Sequence, residues 1–384
     1  MDEKEVQQIL TEILCDAVNE TGKNEVLKQK ITPDILLSVY YLAKKHDLAH
    51  LISNFVYRNE IEIAPEFRQK LQLEEFMAAY RYEQTEYTFK EICSAFDEAK
   101  IPYIPLKGSV IRPYYPCGNM RTSCDIDILI YEDDLETAIN CLKAIEYCCG
   151  EQNYRDVSLY SPNQIHLELH FNIQENKDNL DAVLKDVWEY AVLANNFQYR
   201  LSEAFFVFHI FAHMTYHFLS GGCGIRSLLD IWVMEHKMGI TYTCAKDLLT
   251  RAGIYQFAAE ISKLADRCFT LSDRDTFSDP ILDYIFQGGV YGSIENHIAA
   301  KKSKYKTRTA YALNRLFLPY KSMMDVYPFL KKAPFLLPFC WTARWIKAVA
   351  DGKSGRIALE MSYANHMTEE KIKEIEGIFS RLGL

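Results

Sequence analysis

Through the first hundred residues apolar side chains return every three or four positions, the spacing that turns one stripe of a helix toward a core. Thr32-Pro33-Asp34 marks the start of one such helix, with Thr32 as N-cap, Pro33 in the first turn and ILLSVYYLAKKH behind it. A longer helix is expected from Pro65 to about Lys100, and its last turns place Phe89, Ile92, Cys93 and Phe96 on one stripe. The texture then changes. Residues 101–106 are short and apolar, with Pro102 and Pro105 confining them to a sheet edge or a strand end. DIDILI at 125–130 alternates acid and aliphatic before turning wholly apolar, as a strand does near a core. Residues 133–145 read as a helix, and 157–160 and 165–171 as a hairpin around Ser-Pro-Asn-Gln.

From about residue 179 the pattern is helical again. EAFFVFHIFAHMTYHFL at 203–219 is apolar on most sides and is expected to be buried, ending at Gly221, Gly222 and Gly224 before a helix over 225–238. The run Gly288-Gly289-Val290-Tyr291-Gly292-Ser293 lacks the Gly-Lys-Ser/Thr ending of a phosphate loop and reads as a turn before a helix. Farther on, Pro328, Pro334 and Pro338 break an aromatic segment into short pieces. Burial against the N-terminal helices is expected for it, a partner or membrane-surface patch being the alternative. The fold class is thus a helix-rich α+β: a small mixed sheet set between helical N- and C-terminal regions. Its expected divisions are 1–98, 99–178, 179–300 and 301–384.

Composition narrows the functional classes. With 52 acidic against 43 basic residues the net charge is −9, which argues against a grip on long nucleic acid, where phosphate neutralisation supplies most of the affinity. A local exception is Lys301, Lys302, Lys304, Lys306 and Arg308, read as a solvated face, with a polyphosphate contact as the alternative. Eleven cysteines with no CxxC pair suit a reducing cytosol. The acidic start MDEKEVQQIL lacks the basic and apolar pattern of a signal peptide, so none is expected, and no run approaches the ~20 apolar residues of a membrane span. A cytoplasmic location is expected; the oligomeric state is not legible.

The chemistry is carried by acids on strands. Asp125 and Asp127 share one side of their strand, since successive side chains alternate. So placed they repel each other unless a cation sits between them, and magnesium prefers such oxygens. In IHLELHF the residues His166, Glu168 and His170 share the polar face, and Glu168 follows Asp127 by 41 positions, one helix and one strand later. Three carboxylates on one sheet face make a two-metal site. Upstream, Lys107-Gly108-Ser109 follows the first strand and precedes a helical turn, where glycine permits close backbone approach and free N–H groups meet phosphate.

The order LKGS, NMRTSCDIDILI, IHLELHF resembles the polymerase-beta-like nucleotidyltransferase superfamily, and more closely its group of uncharacterised bacterial nucleotidyltransferase family proteins. Lys107, Gly108, Arg121, Asp125, Asp127, Glu168 and His170 match that group's pattern, and the likeness extends to IRSLLDI at 225–231 and to residues 315–345. One departure is the loop of fifteen residues between Ser109 and Asp125, longer than is usual in the superfamily. The resemblance implies transfer of a nucleoside monophosphate from an NTP such as ATP to a hydroxyl acceptor, with pyrophosphate leaving. It implies Asp125, Asp127 and Glu168 as holders of two magnesium ions (manganese as a substitute), and Lys107, Gly108, Ser109 and Arg121 as phosphate contacts. The acceptor is a small molecule, a protein side chain or an RNA end.

Other features carry rival readings. His209, His213 and His217 form one helical stripe, which lines a cleft or, less simply, binds zinc in a hydrolase, although three on one straight helix close poorly around a tetrahedral ion. Arg226 and Asp230 stand at i, i+4, as a surface ion pair or as residues that face the cleft with His170 on the acceptor side. A nucleotide-binding regulatory protein without turnover is the alternative from a different class; the intact acidic trio counts against it.

Overall fold

In the computed structural model the chain is described over residues 2–271, 279–290, 292–302, 316–350, 363 and 367–384. Five helices lead, α1 (Glu3–Val18), α2 (Glu25–Lys30), α3 (Pro33–Lys45), α4 (Ala49–Arg58) and α5 (Pro65–Ala99). The α3 start follows its sequence: Thr32 Oγ1 accepts the Ile35 N–H at 3.3 Å, and Pro33 occupies the first turn, where its missing donor is not needed. α5 packs on α4 near its beginning and on the sheet near its end, so it joins the leading helices to the sheet.

Seven strands form one mixed sheet: β1 (Tyr103–Pro105), β2 (Asp125–Ile130), β3 (Cys148–Gln152), β4 (Asp156–Tyr160), β5 (His166–His170), β6 (Ala191–Asn195) and β7 (Gln198–Leu201). Their order is β3-β4-β5-β2-β1-β7-β6. β2 runs parallel to β5, reached through α7 (Leu135–Ala144) and the β3–β4 strands. Ile126, Ile128, Ile130, Leu167 and Leu169 pack on one face against Ile92 and Phe96 of α5 and Ala138 and Leu142 of α7. Each such burial is worth about 1.5–3 kcal/mol, so a one-residue slip that flipped the strand would be strongly opposed. The same alternation sends Asp125, Asp127 and Glu168 to the opposite face.

Opposite that face stand α8 (Asp178–Leu184), α9 (Glu203–Leu219), α10 (Ile225–His236), α11 (Lys246–Arg251), α12 (Tyr255–Phe269), α13 (Pro280–Gly288) and α14 (Ile294–Lys302). Phe205, Phe208 and Phe211 of α9 are fully buried, as its apolar sequence requires. α1 joins this body: Asn19 Nδ2 donates to Phe269 O at 2.8 Å and Cys15 Sγ to the same oxygen at 3.1 Å. α10 starts without a side-chain cap of its own. Its first N–H, on Ile225, donates instead to Nδ1 of the buried His46, whose Nε2 lies 3.2 Å from Phe286 O.

Two expectations are corrected and one is decided. Of the sheet edge or strand end expected from Pro102 and Pro105, it is the strand end: β1 pairs with β2 on one side and β7 on the other, and the prolines stand at the margins of its three residues. The chain after residue 179 is not wholly helical, because β6 and β7 form a hairpin that extends the sheet. The aromatic C-terminal segment builds a small cluster of its own around Met323, Leu330 and Cys340 rather than burying against the N-terminal helices, and leaves Phe335 and Phe339 exposed. The glycine run does turn the chain between α13 and α14, with φ of 64° at Gly289 and 80° at Gly292; Tyr291 lies outside the described residues. Of the basic run, Lys302 is buried, whereas Lys304, Lys306 and Arg308 lie outside the described residues. No helix among the described residues is long and apolar enough to cross a membrane.

Candidate active site

A cleft of about 380 Å³ opens between the acidic face of the sheet and the α9–α10 side of the helical body. β2 and β5 supply its floor. Their parallel register sets Asp125 beside His166, Asp127 beside Glu168 and Leu129 beside His170. His170 Nε2 lies 2.9 Å from Asp127 Oδ1 and 3.5 Å from Glu168 Oε2, and Lys107 Nζ reaches the same Asp127 oxygen at 3.0 Å. Among the described residues the group that could hold a metal ion is Asp127, Glu168 and His170, whose donor atoms lie within 4.8 Å of one another. Asp125 lines the same cleft two residues before Asp127.

The charges follow from this packing. Burial alone would raise the Asp127 carboxyl, but Lys107 and His170 hold it well below the usual range. Burial, and next the charge of Asp127, push Asp125 the other way, up. The hydrogen bond from His170 lowers Glu168. Burial disfavours the charged form of His170, yet its bonds to Asp127 and Glu168 leave its pKa raised. Lys107 is likewise raised against the pull of burial, by Asp127 and Asp125. One lysine and one histidine therefore stand as internal counter-ions to a surplus of carboxylates.

Lys107 owes its position to the backbone. It holds φ 42° and ψ −104°, outside the regions that residues with a side chain prefer, just where β1 gives way to the short helix α6 (Gly108–Ile111). Gly108 follows, and a Cβ built on it would stand 2.5 Å from Arg121 Nη1. Glycine is thus required by close approach of the guanidinium. Ser109 lines the cleft as expected.

The long loop before β2 is held from three sides. Arg112 donates to Glu86 of α5 at 3.0 Å and to Ser123 Oγ at 2.6 Å. His50 of α4 meets Met120 O at 3.1 Å, and Thr122 Oγ1 donates to Asp47 at 2.6 Å. On the third side Arg121 Nε and Nη2 each donate to Asp230 of α10 at 2.8 Å, and Tyr115 Oη donates to Asp230 Oδ1 at 2.7 Å. The helix-surface pair between Arg226 and Asp230 does not form, because Asp230 is taken by Arg121, while Arg226 Nη1 donates to Thr122 O at 2.8 Å and lies 3.4 Å from Asp47. Both residues nevertheless face the cleft.

The α9 stripe lines the far wall, where His209, His213 and His217 all reach the cleft. His213 Nδ1 lies 3.2 Å from Glu175 Oε1, and Arg155 holds the other oxygen of that carboxylate. None of the three histidines belongs to the candidate metal-holding group among the described residues. Burial lowers all three, with His209 and His217 pulled down to about 3. Glu175 and Arg155 escaped sequence reasoning, since both sit in irregular segments beyond the strand pattern; the only available signal was the nearness of Glu175 to IHLELHF.

Compared with known protein families, residues 37–270 match the one described as uncharacterised nucleotidyltransferase. The match runs from α3 to the end of α12 and so contains every residue of the cleft described above except Val290. No curated protein and no solved structure matches the chain. Matched over more than half its length, and with an acidic cleft where such chemistry needs one, the chain belongs to the uncharacterised nucleotidyltransferase family.

Proposed function

We propose that this nucleotidyltransferase moves a nucleoside monophosphate from an NTP to a hydroxyl acceptor, releases pyrophosphate, and depends on magnesium held by Asp125, Asp127 and Glu168 with His170 beside them. The observation that carries the reading is the register of β2 on β5, which sets Asp127 against Glu168 on the face that also bears Asp125. The donor set fits a hard divalent cation: oxygen ligands predominate, and Asp125 is raised by burial and next by the charge of Asp127, which Lys107 does not offset. When bound, magnesium supplies neutralisation of charge on the transferring phosphate.

The chain's own groups do the positioning. Gly108 and Ser109 border the triphosphate, Arg121 presents Nη1 beside Gly108, and Lys107 can turn from Asp127 to a phosphate oxygen once other charge neutralises the carboxylate. His170 orients Asp127 through its 2.9 Å contact. Arg226 faces the same space with a guanidinium tied through one nitrogen. Reactions of this kind need positioning and charge more than covalent chemistry by the protein. The acceptor is a small molecule, a protein side chain or an RNA end, and the protein works in the cytoplasm. Incubation with each α-labelled NTP, magnesium and a cell extract should transfer label to one acceptor class; no transfer from any NTP by a folded protein would sink the proposal.

A further inference from the structure

The α9 wall of the cleft has no part in the phosphate and metal chemistry just described. His209, His213 and His217 stand one turn apart on a largely apolar helix. Glu175, opposite His213, is fixed by three contacts: His213 Nδ1 at 3.2 Å, Arg155 Nη1 on the second oxygen, and its own N–H donating to Asp181 at 2.7 Å. His209 is 3% exposed and lines the cleft, yet its Nδ1 is sealed from solvent with no hydrogen-bond partner. An unpaired buried polar group costs about 1–3 kcal/mol, and a wall serving only as packing would carry apolar side chains instead. The His213–Glu175 pair, oriented and open to the cleft, points to a ligand on this wall.

We propose that His213, oriented by Glu175, takes the proton from the attacking hydroxyl, and that the histidine wall of α9 is the subsite for an uncharged, hydroxyl-bearing acceptor. The inference rests on the nucleotidyl-transfer reading. The Glu175 carboxylate selects the tautomer of His213 with hydrogen on Nδ1, which leaves the lone pair on Nε2. Burial, and next the charge of Lys107, lower His213, so the ring is a neutral base. In the step the hydroxyl proton passes to His213 Nε2 while the acceptor oxygen bonds to the α-phosphorus. The bond from that phosphorus to the bridging oxygen breaks, and pyrophosphate leaves with its electron pair. The imidazolium, stabilised beside Glu175, then returns its proton to water.

The carboxylates of this wall are already engaged. Glu175 pairs with Arg155, Asp181 accepts the N–H groups of Glu175 and Lys177, and the imidazoles are neutral. Recognition then falls to hydrogen bonds and ring faces, which suit a polyol or sugar; a polycation would find no free carboxylate on this wall.

Water is itself a hydroxyl acceptor, so the full chain can be tested without its natural one. Calorimetry among ATP, GTP, CTP and UTP with magnesium selects the nucleotide, and slow release of its monophosphate is then followed. His213→Asn should lower kcat about 100-fold and leave the nucleotide KM unchanged. Added imidazole should restore part of the rate to His213→Ala, a rescue that a structural role would not give. Glu175→Gln should slow release and shift the nitrogen-15 signals of His213 away from the Nδ1–H tautomer. Wild-type rates in folded variants, no imidazole rescue, or a wild type that binds nucleotide without releasing monophosphate would overturn the dyad. Failure of wild type to bind any of the four would overturn the nucleotidyl-transfer reading instead. Saturation-transfer NMR should detect glucose on the wild type and lose it in His213→Asn; a signal from kanamycin alone, or from neither, would overturn the uncharged class.

Discussion

Arg121 and Asp230 are 109 residues apart in sequence and meet through two hydrogen bonds of 2.8 Å, with both side chains buried. The pair ties the loop before β2 to α10, and with it the phosphate end of the cleft to the helical body. Breaking a buried pair by removing one partner costs about 3–5 kcal/mol, because a charge is left without compensation. Asp230→Asn should therefore lower the unfolding free energy obtained from urea titration by an amount in that range, and weaken nucleotide binding as Arg121 shifts. A variant with unchanged unfolding free energy and affinity would show that the bridge has no such role.

Gly108→Ala should have the same target. Its Cβ would press on the Arg121 guanidinium at 2.5 Å, and overpacking of this kind costs about 1–3 kcal/mol. Weaker nucleotide binding in calorimetry is expected alongside lower stability. Combination with Arg121→Ala should recover much of the stability loss, since the obstacle is then gone; additive losses in the double variant would count against the clash.

The two aspartates of β2 should behave oppositely in stability. Asp127→Asn leaves Lys107 and His170 without their anion, a loss of about 2 kcal/mol for hydrogen bonds to charged groups. Asp125→Asn removes a carboxyl already raised by burial and by its neighbour's charge, so thermal stability should hold or rise. Turnover should fall in both, on the order of 10²–10³-fold for lost electrostatic stabilisation. Scanning calorimetry that ranks the two variants the other way would refute the assignment of Asp127 as the residue at the charge centre.

His46 predicts a pH dependence. Burial brings its pKa down to about 4, and in the native fold its Nδ1 accepts the Ile225 N–H. Between the ordinary value of 6.5 and about 4 the unfolded chain takes up a proton that the folded chain refuses. Its contribution is therefore complete above pH 6.5 and is lost as pH falls toward 4. Denaturation midpoints of wild type and His46→Gln should converge over that window, and parallel curves would exclude His46 as the source.

Much of the site could be read from the chain because its determinants are local. The alternation in DIDILI and IHLELHF fixes which side chains share a face, and the apolar partners Ile126, Ile128 and Leu167 decide which face is buried. Thr32 and Pro33 declare their helix within four residues. The β6–β7 hairpin escaped because residues such as Leu193 face solvent and give no alternation, and β3 escaped because all five of its residues are exposed. Lys107 with Asp127, Arg121 with Asp230 and Glu175 with His213 are pairings across the fold, and spacing alone holds no trace of them.

The contact of α1 with Phe269 has a consequence for synthesis. About 250 residues must follow Asn19 before the carbonyl it binds exists. Until then Ile9, Leu10, Ile13 and Leu14, all but sealed in the finished fold, have no α12 to cover them as the chain leaves the ribosome. At roughly 5–20 residues per second that interval lasts on the order of 10–50 s, long enough for a holding chaperone to matter. Closure of the seam between α1 and α12 thus waits on distant chain, whereas the packing of α1 on α3 and α4 needs only residues made soon after it.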